Sequence, residues 1–324
     1  MKKKKKDKIL VLGGAGLIGS YLVENLVKKK FNVCVIDDFS KGQLKNLSSV
    51  KKKIKIVKVD LEKYKKLNKI FSEFSVIFHL ASRAYGVGYS NKNHKKIYNH
   101  NFKITSNIIK SLKDAKIKYF QCVSSSCVYR DTGPNKISEK LKLLGKPEKA
   151  NLGYGLAKRH LEKKINQAAK KFKFDLSIVR PFNIYGERYK WVGDASQAIP
   201  MLINKVKKSK GKIDIWGTGK QRRNYVHAKD CAEIMIRIFE KNYTKTPVNI
   251  GYENTISLKD LVLKMCKISK RKITLNYDLS KPEGRFIKSS NSFLLKKITH
   301  NYKQKISLSK GLKLMMNWHE RTFK

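Results

Sequence analysis

An apolar run, Ile9-Leu-Val-Leu12, breaks at Gly13-Gly-Ala-Gly16 and resumes as Leu17-Ile-Gly19 ahead of an amphipathic stretch through Val27. No other segment limits the possible folds as tightly. A strand that turns on glycines into a helix needs a residue without Cβ at the turn, and close backbone approach just after it. The unpaired N–H groups and dipole of the helix start favour negative charge there, which predicts a site for a dinucleotide pyrophosphate at Gly13, Gly16, Leu17, Ile18 and Gly19. The next apolar run ends in Val35-Ile-Asp-Asp38. At that spacing Asp37 would accept hydrogen bonds from an adenosine ribose and repel a 2′-phosphate, so NAD is expected rather than NADP.

The same rhythm continues. Apolar, β-rich runs recur at residues 8–12, 32–36, 54–59, 76–80, 120–124 and 176–180, with amphipathic stretches at 20–29, 61–71, 97–113 and 154–171 between them. Near-continuous apolar strands alternating with helices predict an α/β fold, a Rossmann-type doubly wound parallel sheet covered on both faces. Beyond residue 180 the rhythm breaks at Pro181, Gly186, Gly193, Pro200 and Gly217-Thr-Gly219. The expected division is an NAD-binding unit over 1–180 and a smaller, discontinuous substrate-binding lobe over 181–324. Residues 248–251 are expected to return to the main sheet as one more strand.

Charge is the outstanding feature of composition: 74 Lys plus Arg against 24 Asp plus Glu, a net +50. The lysines run from end to end between apolar residues, and aromatic residues do not interleave with them as a stacking platform requires. The excess therefore reads as a solvated surface that attracts anionic substrates, not as a specific nucleic-acid site. No apolar run approaches a membrane span. The lysine run at residues 2–6 is followed by too short an apolar segment for an export signal. Five cysteines, Cys34, Cys122, Cys127, Cys231 and Cys266, show neither metal-ligand nor paired spacing, which fits a reducing cytoplasm. No metal is expected.

Tyr154-Gly-Leu-Ala-Lys158 puts a phenol and an ammonium one helical turn apart on one face. A phenol with its ordinary pKa near 10 is a poor base, and a neighbouring ammonium stabilises the phenolate. With the glycine turn, this pair points to hydride chemistry on a nicotinamide cofactor. His79, alone in the apolar Phe78-His-Leu-Ala81, reads as a core residue.

Gly13-Gly-Ala-Gly-Leu-Ile-Gly19, Val59-Asp-Leu61, Phe78-His-Leu-Ala81, Ser124-Ser-Ser-Cys-Val-Tyr129, Tyr154-Gly-Leu-Ala-Lys158 and Arg180-Pro-Phe-Asn-Ile-Tyr-Gly186 occur in this order. From about residue 8 to about residue 318 the chain resembles the extended short-chain dehydrogenase/reductases, the NAD-dependent nucleotide-sugar epimerase/dehydratase family. Its pattern is nearest to GDP-mannose 3,5-epimerases, GDP-fucose synthases and UDP-glucose 4-epimerases. The resemblance implies that Asp60 and Leu61 hold the adenine and that Leu80 and Ala81 flank the cofactor phosphates. It implies Tyr154 as acid/base, Lys158 on the nicotinamide ribose and Ser125 on the reacting hydroxyl. Asn183 would contact the sugar nucleotide, and Arg223 and Arg285 its diphosphate; a homodimer is implied as well.

Cys127 matches a cysteine that, in the first two of these groups, exchanges protons at carbons beside a ketone. Gly86-Val-Gly88 resembles their glycine-rich loop. Their second acid/base falls at Gln197 here, and glutamine cannot exchange a proton. Ser125-Ser-Cys127 carries no carboxylate of the kind family dehydratases use to expel water. Leu12 stands for the usual Thr before the glycines, and Arg130 for the usual Gly or Pro after the Tyr. The expected activity is oxidation and reduction at C4 of a GDP- or UDP-linked sugar, as a 4-epimerase. The alternatives are a GDP-sugar 3,5-epimerase or 4-keto reductase and, in another class, a non-catalytic NAD-binding protein associated with RNA.

Overall fold

In the computed structural model, residues 7–132, 135–189, 191, 196–281 and 284–323 are described. The lysine run at 2–6, Gly193 and Pro282-Glu283 lie outside them. The first half supplies β1 (Lys8–Leu12), β2 (Asn32–Asp37), β3 (Lys55–Lys58), β4 (Val76–His79), β5 (Tyr119–Val123), the short β6 (Lys136–Ile137) and β7 (Asp175–Pro181). Between and after them come α1 (Leu17–Lys28), α2 (Leu67–Phe71), α3 (Val87–Lys92), α4 (His94–Ser111), α5 (Leu152–Phe172), α6 (Ala198–Lys208) and α7 (Ala228–Glu240). The second half adds β8 (Ile184–Tyr185), β9 (Lys212–Trp216), β10 (Arg222–Arg223), β11 (Val226–His227) and β12 (Val248–Ile250). Its last strands are β13 (Ile256–Ser257), β14 (Thr274–Asp278) and β15 (Ile287–Ser290), with α8 (Leu258–Ile268), α9 (Phe293–Thr299) and α10 (Leu308–Thr322) among and after them.

Seven strands form one parallel sheet in the order β12-β7-β5-β4-β1-β2-β3. Side chains alternate along each strand, so Ile9 and Val11 face α1 and α7 with Leu22, Leu26, Met235 and Phe239. Leu10 and Leu12 face the other way, to α4 and α5 with Ile104, Ile108, Leu161 and Ile165. Both faces are covered, which is why these strands read as unbroken apolar runs. The expected doubly wound α/β fold is present. From β1 the chain winds out through β2 and β3, then returns to β4 on the other side of β1. The crevice at that reversal, outside the carboxyl ends of the strands, is where such sheets hold their ligands.

Val248–Ile250 does return to this sheet, beside β7. A second sheet, β13-β10-β15-β6, includes β6 from the first half of the chain, and β11-β8 and β14-β9 form two further pairs. A separate core of Leu202, Ile203, Val206, Ile215, Leu261, Met265, Leu312 and Met315 supports this region. One expectation fails locally: the helix anticipated from residue 61 begins only at Leu67. A single turn does form there, capped by Asp60, whose carboxylate accepts the Glu62 N–H and whose carbonyl accepts those of Lys63 and Tyr64, but the chain leaves it at Tyr64 and α2 starts afresh. Among the described residues no helix is long and apolar enough to cross a membrane.

Candidate active site

The glycine turn is built as its sequence requires. Gly13 has φ +82°, and a Cβ there would lie 2.7 Å from the Ala81 nitrogen; at Gly19 it would lie 2.2 Å from the Gly13 carbonyl oxygen. Gly16 is extended and hands over to α1 at Leu17 and Ile18 without a side-chain cap. The first N–H groups of α1 therefore have no capping side chain, which fits a pyrophosphate. Leu80 and Ala81 form the opposite wall, the Leu80 N–H donating to Leu12 at 2.9 Å. Asp37 is 6% exposed at the end of β2. Its two oxygens accept the N–H groups of Ala15 and Phe39, each at 2.9 Å. Burial raises its carboxyl above the usual range, and those two donors pull it back. Asp60 and Leu61 follow at the end of the neighbouring β3.

Asp37 yields a cofactor test. Replacement by Ala removes both the acceptor for the ribose hydroxyls and the charge that repels a 2′-phosphate. The unmodified chain is expected to bind NAD much more tightly than NADP, and Asp37→Ala to narrow the gap in a fluorescence titration. Equal affinities of the unmodified chain would remove the assignment.

Tyr154, Lys158 and Glu162 share one face of α5, successive turns apart. The start of α5 lies so close to its neighbours that only glycine fits beside Tyr154. A Cβ at Gly153 would be 2.1 Å from the His94 carbonyl oxygen, and at Gly155 2.5 Å from that of Cys127. The Lys158 ammonium donates to the Val123 carbonyl at 2.8 Å and sits 5.5 Å from the centre of the Tyr154 ring. Burial pulls Lys158 down to about 8. The Tyr154 hydroxyl lies 3.5 Å from the Ser82 hydroxyl, and burial pushes the phenol above its ordinary value. Ser125 is buried, its hydroxyl accepting the Cys127 N–H at 3.1 Å. His79 is 1% exposed, and burial lowers it to about 3, so it is neutral.

A charged network stands behind this face. Glu162 takes Arg180 through Nε at 2.8 Å and Nη2 at 2.6 Å, and accepts the Ser124 hydroxyl at 2.5 Å. Arg180 also donates to the Tyr129 hydroxyl at 2.9 Å, which in turn donates to Asn249 at 2.8 Å. The segment from Ser124 to Tyr129 is thereby tied at both ends.

On the lobe side, the Lys288 ammonium lies 3.6 Å from the Cys127 sulfur and 2.5 Å from Glu148 Oε2. Lys288 and Glu148 are 4% and 5% exposed. Burial pushes the Cys127 thiol up to about 11; the Glu148 carboxylate adds to this and Lys288 opposes it. Burial alone would raise Glu148, but the Lys288 ammonium outweighs it and holds the carboxyl low. Sequence reasoning missed both residues. Glu148 shortly precedes Tyr154, while Lys288 is one lysine among many. Arg285 is 7% exposed, donating to the Ile287 and Arg130 carbonyls, both at 2.7 Å. Arg222 is committed to Thr255, whereas the charge of Arg223 acts on Glu148, Arg285 and Lys288. Asn183, at φ +37°, donates its amide to the Asn224 carbonyl at 3.0 Å. Gln197 precedes α6 and packs near Gly86.

Residues 9–251 match the model of the NAD dependent epimerase/dehydratase family. The chain is 28% identical to GDP-L-colitose synthase of Yersinia pseudotuberculosis over 94% of this chain and 95% of that protein. It is 26% identical to GDP-mannose 3,5-epimerase of Arabidopsis thaliana over 96% of this chain and 81% of that protein. Among solved structures, a mutant UDP-glucuronic acid 4-epimerase from Bacillus cereus, in complex with UDP-4-deoxy-4-fluoro-glucuronic acid and NAD, superposes with a TM-score of 0.85. That match has 26% identity and covers 98% of this chain and 100% of the other.

Proposed function

The chain belongs to the NAD-dependent epimerase/dehydratase family, and from that premise we propose that it oxidises and re-reduces C4 of a nucleotide-diphosphate sugar, inverting that centre. The observation that carries the reading is the pair of half-buried Tyr154 and buried Lys158 on α5, beside the glycine turn that would take a dinucleotide. Bound NAD supplies the acceptor, and later the donor, of the C4 hydride. Tyr154 takes the proton of the C4 hydroxyl and gives it back, with Ser125 orienting that hydroxyl. Lys158 keeps a positive charge beside the phenol and holds the nicotinamide ribose. Asp60 and Leu61 enclose the adenine. Arg223 and Arg285 pair with the diphosphate, whose oxygens match a planar guanidinium, and Asn183 contacts the sugar nucleotide. We assign residues 1–180 with β12 to the cofactor and 181–324 mainly to the substrate, and place the enzyme in the cytoplasm as a homodimer.

A second reading has one observation in its favour. Lys288 beside Cys127 would support proton exchange at C3 or C5, next to a C4 ketone. The first reading is the better supported. Lys288 is already paired with Glu148, the Cys127 thiol is held up to about 11, and Gln197 offers no proton. The test is turnover in D₂O with a panel of GDP-, UDP-, dTDP- and CDP-sugars, the products read by NMR. Inversion at C4 without carbon-bound deuterium is expected, with Cys127→Ser keeping substantial activity. Deuterium at C3 or C5 that disappears in Cys127→Ser would establish the second reading instead.

A further inference from the structure

Residues 82–90 run from the end of β4 to the C-terminal lobe and are fastened at both ends. On the cofactor side Arg83 Nη2 meets Asp38 Oδ2 at 2.7 Å, and the Lys41 ammonium stands 4.0 Å from the centre of the Tyr85 ring. Asp38 and Lys41 belong to the loop after β2, Arg83 and Tyr85 to the segment after β4. Those strands flank β1, so both contacts cross the mouth of the cleft that opens at the glycine turn.

Each partner is held from behind. The Arg83 N–H donates to Asn101 Oδ1 at 2.9 Å, and the Arg83 carbonyl accepts the Asn101 amide at 3.1 Å; Asn101 is 5% exposed. The other oxygen of Asp38 accepts the N–H and hydroxyl of Ser40 at 2.9 and 2.6 Å. The loop after β2 is seated on the glycine turn by the Gln43 N–H, which donates to Ala15 at 3.1 Å. At the lobe end the two glycines that stand out in the sequence explain themselves. A Cβ at Gly86 would lie 2.2 Å from the Ser196 carbonyl oxygen, and one at Gly88 3.0 Å from the Trp216 ring.

We propose that residues 82–90 form a strap that retains the dinucleotide, with Arg83–Asp38 and Lys41–Tyr85 as the contacts that must part before it leaves. The Arg83 and Asp38 side chains are 20% and 26% exposed, so the pair can break and re-form, unlike the buried pairs behind the active site. Retention suits a site whose hydride returns to the sugar it came from. The proposal rests on NAD occupying the cleft, and deepens that reading by naming what keeps it there.

The test uses the full chain without any sugar. NAD surviving gel filtration is released by denaturation and quantified. Dissociation of NADH is followed by fluorescence on mixing with excess NAD. The unmodified protein is expected to keep its nucleotide. Arg83→Ala and Asp38→Asn should each release it about tenfold faster, the scale of removing one charge-assisted hydrogen bond. The double variant should release no faster than the quicker single one, because both substitutions remove the same contact. Trp216→Ala, at the other fastening, should also speed release. Unchanged rates in all of these variants, or loss of the nucleotide from the unmodified protein on its first column, would overturn the strap. Failure of the C4 chemistry would leave these release rates as expected, whereas failure of the strap would leave turnover at saturating NAD intact.

Discussion

Tyr154→Phe is expected to lose about 10²- to 10⁴-fold in turnover, the usual contribution of a general acid/base, while the affinity for sugar nucleotide barely changes. The substitution removes one oxygen and no packing. The ring keeps its place 5.5 Å from the Lys158 ammonium, and only the long hydrogen bond to Ser82, at 3.5 Å, goes with the oxygen. The Phe variant therefore isolates the transferable proton. Steady-state kinetics with the turned-over sugar nucleotide, and calorimetric titration of the variant with the same compound, separate the two quantities. Near-normal turnover would show that another group moves the proton.

A comparable loss, of stability this time, is expected for Glu162→Gln. Arg180 and Glu162 have side chains only 5% and 8% exposed, and the pair is bidentate. Removing the carboxylate strands a buried guanidinium, at a cost of roughly 3–5 kcal/mol, a large share of the ~5–15 kcal/mol that holds most domains together. Arg180 resists losing its proton; the paired carboxylate raises its pKa even though burial works the other way. Replacing both partners with apolar residues of similar volume should therefore do less damage than Glu162→Gln alone. Urea denaturation followed by circular dichroism checks this, and a double variant less stable than Glu162→Gln would refute it. Because Ser124 hangs on the same carboxylate, the single variant should also slacken the strand end that carries Ser125.

The parts of the molecule that could be read from sequence are those fixed by near neighbours. The unbroken apolar run of β1, the glycines around its turn, Asp37 at the end of β2 and the one-turn spacing of Tyr154 and Lys158 are local patterns, and the elements that carry them form there. The late start of α2 escapes a pattern argument, which does not see that the turn capped by Asp60 is left at Tyr64. Glu148 and Lys288 escape for another reason. They lie far apart in sequence, and the register of β15 on β6 helps bring their segments together. In a chain with 74 basic residues nothing marks Lys288 as buried. Glu162 was within reach, since it continues the Tyr154–Lys158 face by one more turn. Arg180 opens one of the ordered motifs, but its partner is a matter of packing.

The place of β12 has a consequence for how the protein is made. β7 is finished at Pro181, but the strand that covers its outer edge is not complete until Ile250. About 70 residues separate the two, several seconds of synthesis at ~5–20 residues per second. During that interval the nascent chain presents the unpaired amides and carbonyls of a long, apolar strand, the kind of edge on which a second chain can dock. The short last strand of the sheet is thus also what covers β7 as synthesis proceeds, and substitutions that weaken Val248–Ile250 should reduce soluble yield more than they reduce the stability of protein already folded.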